Sequence, residues 1–258
     1  GRGTQIEGKA ILHSFTVPEG RTSEQIVELL RAEDLLIGDI AEIPAEGTLL
    51  PETYKFSRGT SRQSLLLRMR KDMKEAVEQV WERRDKSIPL ASPQELVILA
   101  SIVEKETGKA DERPHVASVF INRLRKGIKL QSDPTIIYGL VGGKGSLGRP
   151  ILRSEIDQVT AYNTYQIQGL PPTPIANPGL AALEATANPS RTNDMFFVAD
   201  GTGGHAFAET LAEHQRNVSN WRQVQRQMAE NDAATEAQET DENSVADSET
   251  GTSNGLLN

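Results

Sequence analysis

The sequence predicts a mixed α+β fold, and three segments indicate it. AILHSFTV (10–17) has the length and β-branched content of a strand and precedes an amphipathic helical pattern. SPQELVILASIVEKETG (92–108) begins with a capping box and a proline at the first helical position, and Gly108 is a natural stop. MFFVADGTGGHAFA (195–208) is typical of a β-hairpin with a glycine-rich turn.

Composition indicates a globular protein without a membrane-spanning segment. The 258 residues are 37% hydrophobic and 25% charged, and no window approaches the ~20 apolar residues that a membrane helix needs. The absence of cysteine excludes disulfides and thiolate metal sites. The four histidines show no metal-binding spacing, so the sequence predicts no metal and no cofactor.

The net charge of −8 comes from one end of the chain. Residues 230–258 contain eight acidic and no basic residues, so the remainder has 28 acidic against 28 basic residues. This balance offers no basic surface of the kind that binds nucleic acid, and we expect no nucleic-acid partner. The tail has almost no large apolar side chains, which predicts disorder.

Four parts are predicted along the chain. Residues 1–50 form a small strand–helix unit, and residues 51–86 form an extended connector followed by an amphipathic helix over Ser61–Arg84. Residues 87–228 are dense in helix and hairpin signals, and we expect them to carry the chemistry. Residues 229–258 form the acidic tail.

Glu104 is the most informative residue, because an apolar run ends abruptly at it. On a helical wheel it lies about 20° from Val97 and about 40° from Ala100, so it continues an apolar stripe. Glu106 points about 200° away, and we predict that it is solvated.

The predicted environment of Glu104 suits a general acid. The negative end of the helix dipole and partial burial both disfavour an ionised carboxylate, and a general acid must keep its proton near neutral pH. The alternative is a frayed helix end, with Glu104 in solvent or paired with Lys105 or Arg113. The local pattern leaves both interpretations open.

The segment AYNTYQIQGLPPTPIANPG (161–179) is a candidate sugar-binding loop. Tyr162, Asn163, Thr164 and Tyr165 place four hydrogen-bonding side chains and two aromatic rings in four residues, and the three prolines of the following LPPTP stiffen the loop. The alternative is a proline-stiffened surface loop. The glycine-rich GGKGSLG and DGTGG lack the context of a phosphate-binding loop, so a nucleotide-binding enzyme is a weaker hypothesis.

Several motifs together resemble one known family. ASIVEKETG, VASVFINRLRKGIKLQSDPTIIYGL, AYNTYQIQGLPPTPIANPG and FFVADGTGGHAFAETLAEHQRNVSNW are similar to the catalytic domain of the endolytic murein transglycosylases, also called YceG-like. EGTLLPETYKF resembles the segment that enters that domain, and the similarity covers about Glu46 to Arg222. The segment FTVPEGRTSEQIVELLRAEDLL resembles the second part of the family's LysM-like domain.

This resemblance implies a partial LysM-like, peptidoglycan-binding module followed by a mixed α+β, lysozyme-like transglycosylase domain. It implies a bacterial inner-membrane protein with its catalytic part in the periplasm, anchored by a single N-terminal membrane helix that this chain lacks. The implied partners are peptidoglycan glycan strands and peptidoglycan synthases, the penicillin-binding proteins.

The implied activity is cleavage between MurNAc and GlcNAc that leaves 1,6-anhydro-MurNAc ends. The family's catalytic glutamate corresponds to Glu104, which acts first as acid and then as base. Asn163 with Tyr162 and Tyr165 is expected to hold the sugar, and Gln131 and Asp133 are further candidates for the wall of the site. Asp133 has the alternative role of a helix cap before Pro134. Two other functions stay open: a non-catalytic peptidoglycan-binding module, and a muramidase that leaves reducing ends.

Overall fold

The structure, a computed structural model, describes residues 11–249. The chain divides into two compact units, one ending at Met195 and the other beginning at Phe196. This division does not coincide with the boundaries predicted near residues 50, 86 and 228, and the four-part organisation stays a prediction.

The first unit begins with a small antiparallel sheet. Strand β1 (Leu12–Thr16) pairs with β2 (Thr53–Ser57), and Phe15 lies opposite Tyr54. The predicted first strand is confirmed, whereas β2 lies in a segment predicted to be an extended connector. Helix α1 (Ser23–Ala32) and the first half of α2 (Arg62–Glu82) pack their apolar faces on this sheet. One hydrophobic core therefore crosses the predicted boundary at residue 50.

The start of α1 is held against the rest of the first unit. Thr22 caps the helix, because its hydroxyl accepts from the backbone N of Gln25 at 3.2 Å. The same hydroxyl donates to the carbonyl oxygen of Gly143 at 2.5 Å, and the Gln25 amide donates to the carbonyl oxygen of Lys144 at 3.2 Å. The N-terminal segment is thereby fixed to the short 3₁₀ turn Gly142–Lys144.

Five helices follow α2 in the first unit. They are α3 (Pro93–Glu106), α4 (Arg113–Lys126), α5 (Asp133–Val141), α6 (Arg153–Ile156) and α7 (Leu180–Ala187). Helix α3 is central, since it packs against α2, α4, α5 and α7. Its eight consecutive residues from Leu96 to Val103 are all buried, which means that this helix has no solvent-facing side over two turns.

The second unit contains the predicted hairpin. Strands β3 (Phe196–Ala199) and β4 (His205–Ala208) pair antiparallel, and the turn uses Gly201 and Gly203 at positive φ. Thr210 caps the following helix by accepting from the backbone N of Glu213 at 3.2 Å. The hairpin prediction is confirmed.

The last helix, α8, runs from Leu211 to Glu249 and so includes much of the tail that was predicted to be disordered. Alanine, glutamate and glutamine are strong helix formers, and they extend the helix although residues 230–242 are all exposed. Residues 250–258 of the predicted tail lie outside the described residues. Among residues 11–249, no helix has the length and apolarity needed to cross a bilayer.

The prediction that Glu106 is solvated is wrong. Its carboxylate accepts a hydrogen bond from the Ser132 hydroxyl at 2.6 Å, because the segment before α5 covers this side of α3. Burial raises the pKa of Glu106 to about 7, with a further upward contribution from Asp133 and an opposing one from the Ser132 hydrogen bond. The uninterrupted apolar run before it was the signal that α3 is enclosed on every face.

We predict that Glu106→Gln weakens the dependence of stability on pH. A folded pKa raised above the unfolded value stabilises the protein fully at pH below about 4.5, and this contribution is lost as pH rises through 7. Between pH 5 and 8 the parent should lose on the order of 2–3 kcal/mol from this group. Glutamine retains the acceptor for Ser132 and does not titrate. Urea unfolding at both pH values measures the difference.

The matched control is Glu75→Gln on α2, where the carboxylate is 56% exposed. It should follow the pH dependence of the parent. A Glu106→Gln variant that loses as much stability between pH 5 and 8 as the parent would contradict the assignment.

Candidate active site

Glu104 lies in the last turn of α3, and its side chain is only 5% exposed. Its Oε1 accepts a hydrogen bond from the backbone N of Gly179 at 2.9 Å. Its Oε2 lies 3.9 Å from an Nη2 atom of Arg113, at the start of α4. The predicted burial of Glu104 is confirmed, and of the alternative only the pairing with Arg113 is present.

The electrostatic environment of Glu104 combines opposing effects. Burial is the largest and raises the pKa of the carboxyl group above its ordinary value, and the nearby Glu19 adds to this increase. The hydrogen bond from Gly179 lowers the pKa, as do the positive charges of Arg113 and Lys105. The balance retains the proton to a higher pH than an exposed glutamate does, while the ionised form still has a donor ready to stabilise it.

Two glycines allow backbone to approach Glu104 closely. Gly20 has φ +80°, and a Cβ there would lie 3.5 Å from the Cγ of Glu104. At Gly179 a Cβ would come within 2.7 Å of the Glu19 carboxylate. Gly179 is also the N-cap of α7, so its N–H points from the positive end of a helix dipole towards the carboxylate.

A cavity of about 190 Å³ lies next to this end of α3, although Glu104 itself is not among its lining residues. Gly20 and Lys105, the neighbours of Glu104 in space and in sequence, line one side. The opposite side is mainly apolar and aromatic, with Pro134, Ile137, Tyr138 and Ile175. An apolar and aromatic wall with a few polar groups near an ionisable residue is the usual form of a small-ligand site.

Two of the predicted sugar-binding residues are buried in the loop itself. The Asn163 side chain is fully buried; it donates to the carbonyl oxygens of Ile156 and Gln158 at 3.0 and 2.7 Å and accepts from the backbone N of Tyr165. Thr164 is equally buried and accepts from the backbone N of Ser132 at 2.9 Å. These two side chains hold the loop in shape and are not presented to solvent.

The other predicted residues lie in two places. The Tyr162 ring packs edge-on against Tyr138 with centroids 4.8 Å apart, so it supports the cavity wall. Tyr165 donates from its hydroxyl to Asp133 at 2.6 Å, near Glu106 rather than Glu104. Gln131 is exposed with φ 51°, an unusual left-handed conformation for a residue with a side chain.

Sequence reasoning missed the residues that surround Glu104. Gly20, Tyr138, Asn177 and Gly179 were not predicted as site residues, although Asn177 and Gly179 end the candidate sugar-binding segment. The one available signal was the sequence IANPG, in which a small residue and a capping residue follow a stiff loop. No group of three or more potential metal ligands occurs among the described residues.

Comparisons with known proteins agree with the resemblance. A model of the YceG-like family matches residues 4–220. The endolytic murein transglycosylase of Bacillus subtilis is 36% identical over 174 residues, which cover 67% of this chain and 47% of the relative. Its counterpart in Streptococcus pneumoniae D39 is 31% identical over 258 residues, covering 84% of this chain and 46% of the relative. The chain spans about half the length of these curated relatives.

A solved structure of a YceG-like protein from Listeria monocytogenes matches with a TM-score of 0.63 and 28% identity. The match covers 79% of this chain and 75% of that structure, and it agrees with the mixed architecture of helices and small sheets in this chain. Because the family model matches most of its length, this chain belongs to the YceG-like family.

Proposed function

We propose that this chain carries the catalytic part of an endolytic murein transglycosylase, with Glu104 as its acid and base. The proposed bond is the β-1,4 linkage between MurNAc and GlcNAc in nascent glycan strands. The observation that carries the proposal is the placement of Glu104: a buried carboxyl group with a raised pKa, held by a backbone N–H, whose neighbours Gly20 and Lys105 line a cavity. The names of the curated relatives support the same activity.

In the first step the protonated Glu104 donates its proton to the glycosidic oxygen. The bond between C1 of MurNAc and that oxygen breaks, and GlcNAc leaves with a free hydroxyl. Burial favours the protonated form before this step, as a general acid requires. The N–H of Gly179 then stabilises the carboxylate that the step creates.

In the second step the carboxylate takes the proton from the C6 hydroxyl of the same MurNAc. The C6 oxygen bonds to C1 and closes a 1,6-anhydro ring. Glu104 recovers its proton and no water is consumed, so the reaction is an intramolecular substitution at C1, which is classed with the lyases and not with the hydrolases. Most glycosidases need two carboxylates on opposite sides of the bond, whereas this reaction needs one because the substrate supplies the nucleophile.

The cavity suits the sugar that such a reaction requires. Tyr138, supported by Tyr162, offers an aromatic surface, and Lys105 places a cation beside an acidic polymer. Gln131, Asp133 and Tyr165 stay candidates for a more distant part of the glycan. We assign Asn163 and Thr164 to shaping the loop, since their side chains are buried.

The larger setting follows from the same proposal. The N-terminal core, with β1, β2 and α1, is the proposed LysM-like portion. The parent protein would be held in the bacterial inner membrane by a helix outside this chain, with its catalytic part in the periplasm. Peptidoglycan synthases, the penicillin-binding proteins, are the proposed partners, because the enzyme acts on strands as they are made.

One observation favours a second candidate, a muramidase. Glu19 is exposed and close enough to raise the pKa of Glu104, so a second carboxylate stands near the first. A muramidase would use it to activate water or to form a covalent intermediate. The two enzymes differ in the ends that their products carry. A module that only binds peptidoglycan would pellet with sacculi and release no muropeptides.

We predict that Glu104→Gln lowers turnover on purified peptidoglycan by at least ~10²–10⁴, since it removes the transferable proton. The shape of the side chain and the acceptor for Gly179 are retained, so circular dichroism and thermal unfolding should stay close to the parent. Release of soluble muropeptides measures turnover.

Glu106→Gln is the matched comparison two residues along the same helix. Its carboxylate faces Ser132 and not Gly179, so this variant should lose less than about tenfold. The opposite ranking, with Glu106→Gln inactive and Glu104→Gln active, would move the acid to Glu106 and sink the assignment.

The products should carry 1,6-anhydro-MurNAc ends, which mass spectrometry detects as one water less than a hydrolysed end. Glu19→Gln should leave these ends in place, because the lyase needs a single carboxyl group. Reducing ends in the parent, lost in Glu19→Gln, would establish the muramidase instead.

Filling the cavity should weaken substrate use. Ile137→Trp places a bulky ring in the proposed sugar site and should raise KM or lower kcat/KM by roughly tenfold or more. Leu67→Trp, at a 51% exposed position on α2, is the control and should behave like the parent. Equal kinetics for both variants would show that the cavity does not hold substrate.

A further inference from the structure

Asn177 is a fully buried asparagine two residues before Gly179. Its side-chain nitrogen donates to the carbonyl oxygen of Arg21 at 3.1 Å and to the hydroxyl of Ser23 at 3.2 Å. Its side-chain oxygen accepts from the backbone N of Leu49 at 3.0 Å. Every strong hydrogen-bonding position of this amide except one lone pair is therefore used within the N-terminal segment.

The backbone of Asn177 makes the same connection. Its N donates to the carbonyl oxygen of Arg21 at 2.9 Å, and its carbonyl oxygen accepts from the N of Gly20 at 3.0 Å. Gly20 is the residue that approaches the Cγ of Glu104. Asn177 thus joins two segments that both meet the carboxyl group: residues 20–23 on one side and the loop leading to Gly179 on the other.

A second link joins the N-terminal segment to the cavity. Glu46 accepts from the backbone N of Ser23 and, at 2.8 Å, from the hydroxyl of Tyr138. Tyr138 lines the cavity, and Ser23 also contacts Asn177. The N-terminal segment is therefore attached to both the wall of the cavity and the loop that holds Glu104.

We propose that Asn177 is a positioning residue that couples the N-terminal segment to Glu104, by fixing the backbone that presents the Gly179 N–H to the carboxylate. In this arrangement the N-terminal core completes the active site and is not only a binding accessory. The expected effect of Asn177 on catalysis rests on the proposed function. The expected effect of Asn177 on the pKa of Glu104 does not, and it can be measured in a protein that shows no turnover.

Loss of the Asn177 hydrogen bonds should change the pKa of Glu104. The Gly179 N–H stabilises the ionised form, so a displaced loop leaves burial opposed only by Arg113 and Lys105 and raises the pKa of Glu104 further. For a general acid, activity falls as pH rises through that pKa. The alkaline limb of the kcat/KM profile should therefore move to higher pH in Asn177→Ala, while kcat at the optimum falls roughly tenfold or more.

The control is Asn122→Ala, which removes a buried amide from α4. Asn122 also ties a helix to a loop, by donating to the carbonyl oxygens of Thr192 and Asp194 at 2.9 Å each. Asn122→Ala should lower Tm by about as much as Asn177→Ala does, and it should not shift the alkaline limb of the kcat/KM profile. An Asn177→Ala variant that loses stability without moving the limb would have only a structural role, and the proposal would be overturned.

Direct titration separates this proposal from the proposed function. The carboxyl carbon of Glu104 is followed by ¹³C NMR across pH in the ¹³C-labelled full chain, with Glu104→Gln identifying its resonance. Asn177→Ala should raise the midpoint by roughly half a pH unit or more, and Asn122→Ala should not. A raised midpoint in a chain that releases no muropeptides would support the coupling and refute the function. An unchanged midpoint in Asn177→Ala, in a protein that does release muropeptides, would refute the coupling and support the function.

Gly179→Pro is the second variant, in case Asn177→Ala does not fold. The φ of −78° at this position suits proline, which removes the N–H and leaves Asn177 in place. Its Cβ would lie 2.7 to 2.9 Å from Glu19 side-chain atoms, so the exposed Glu19 side chain has to move. Its Cδ takes the place of the hydrogen, so the Glu104 carboxylate also has to withdraw from this position. It should raise the Glu104 midpoint in the same direction as the loss of Asn177. A midpoint equal to that of the parent would show that the N–H does not govern Glu104, which also overturns the proposal.

Discussion

The hydrogen bond from the Gly179 N–H to Glu104 is the interaction on which the site depends. A buried carboxyl group without a donor would remain protonated over a wide pH range and would make a poor base. One with several donors and a close cation would ionise too readily to act as an acid. Here one backbone donor at 2.9 Å and one guanidinium at 3.9 Å oppose the burial, which leaves both protonation states within reach.

That balance requires α3 to be enclosed by protein. The helix packs against four other helices, and its last turn carries two glutamates that face different surroundings. Glu104 meets backbone from two loops, whereas Glu106 meets the Ser132 hydroxyl. Both carboxyl groups have raised pKa values from burial, so the pKa alone does not distinguish the catalytic candidate. Gly20 distinguishes them, because it lines the cavity and approaches Glu104, whereas Lys105 adjoins both glutamates in sequence.

Sequence patterns predicted much of the fold, because its strongest signals are local. Capping residues, the 3.6-residue period of α2 and the glycine-rich hairpin each depend on neighbours within a few positions. The wheel that placed Glu104 on a buried stripe worked for the same reason. It failed for Glu106, since the chain that covers the second face of α3 comes from Ser132, 26 residues later. Strand β2 was missed because its partner is about 40 residues away.

The candidate sugar-binding loop (161–179) also shows that a local pattern does not reveal tertiary contacts. Four polar and aromatic residues in succession suggested a binding surface, but a hydrogen-bonding side chain serves a loop as readily as a ligand. Asn163 and Thr164 satisfy the backbone of their own surroundings, and only the structure shows which way they turn. Asn177, at the end of the same segment, bonds to residues more than 120 positions away.

The long-range bonds of Asn177 also bear on what the N-terminal core is for. A module that only tethered the protein to a polymer would need no contact with the Glu104 carboxyl group, and a flexible connection would serve it. Instead, Gly20 packs against Glu104, Thr22 lines the cavity, and Glu46 bonds to Tyr138. Removing this segment would expose Glu104 to water and weaken the desolvation that raises its pKa. The N-terminal core therefore sets the chemistry of the carboxyl group as well as the shape of the cavity beside it.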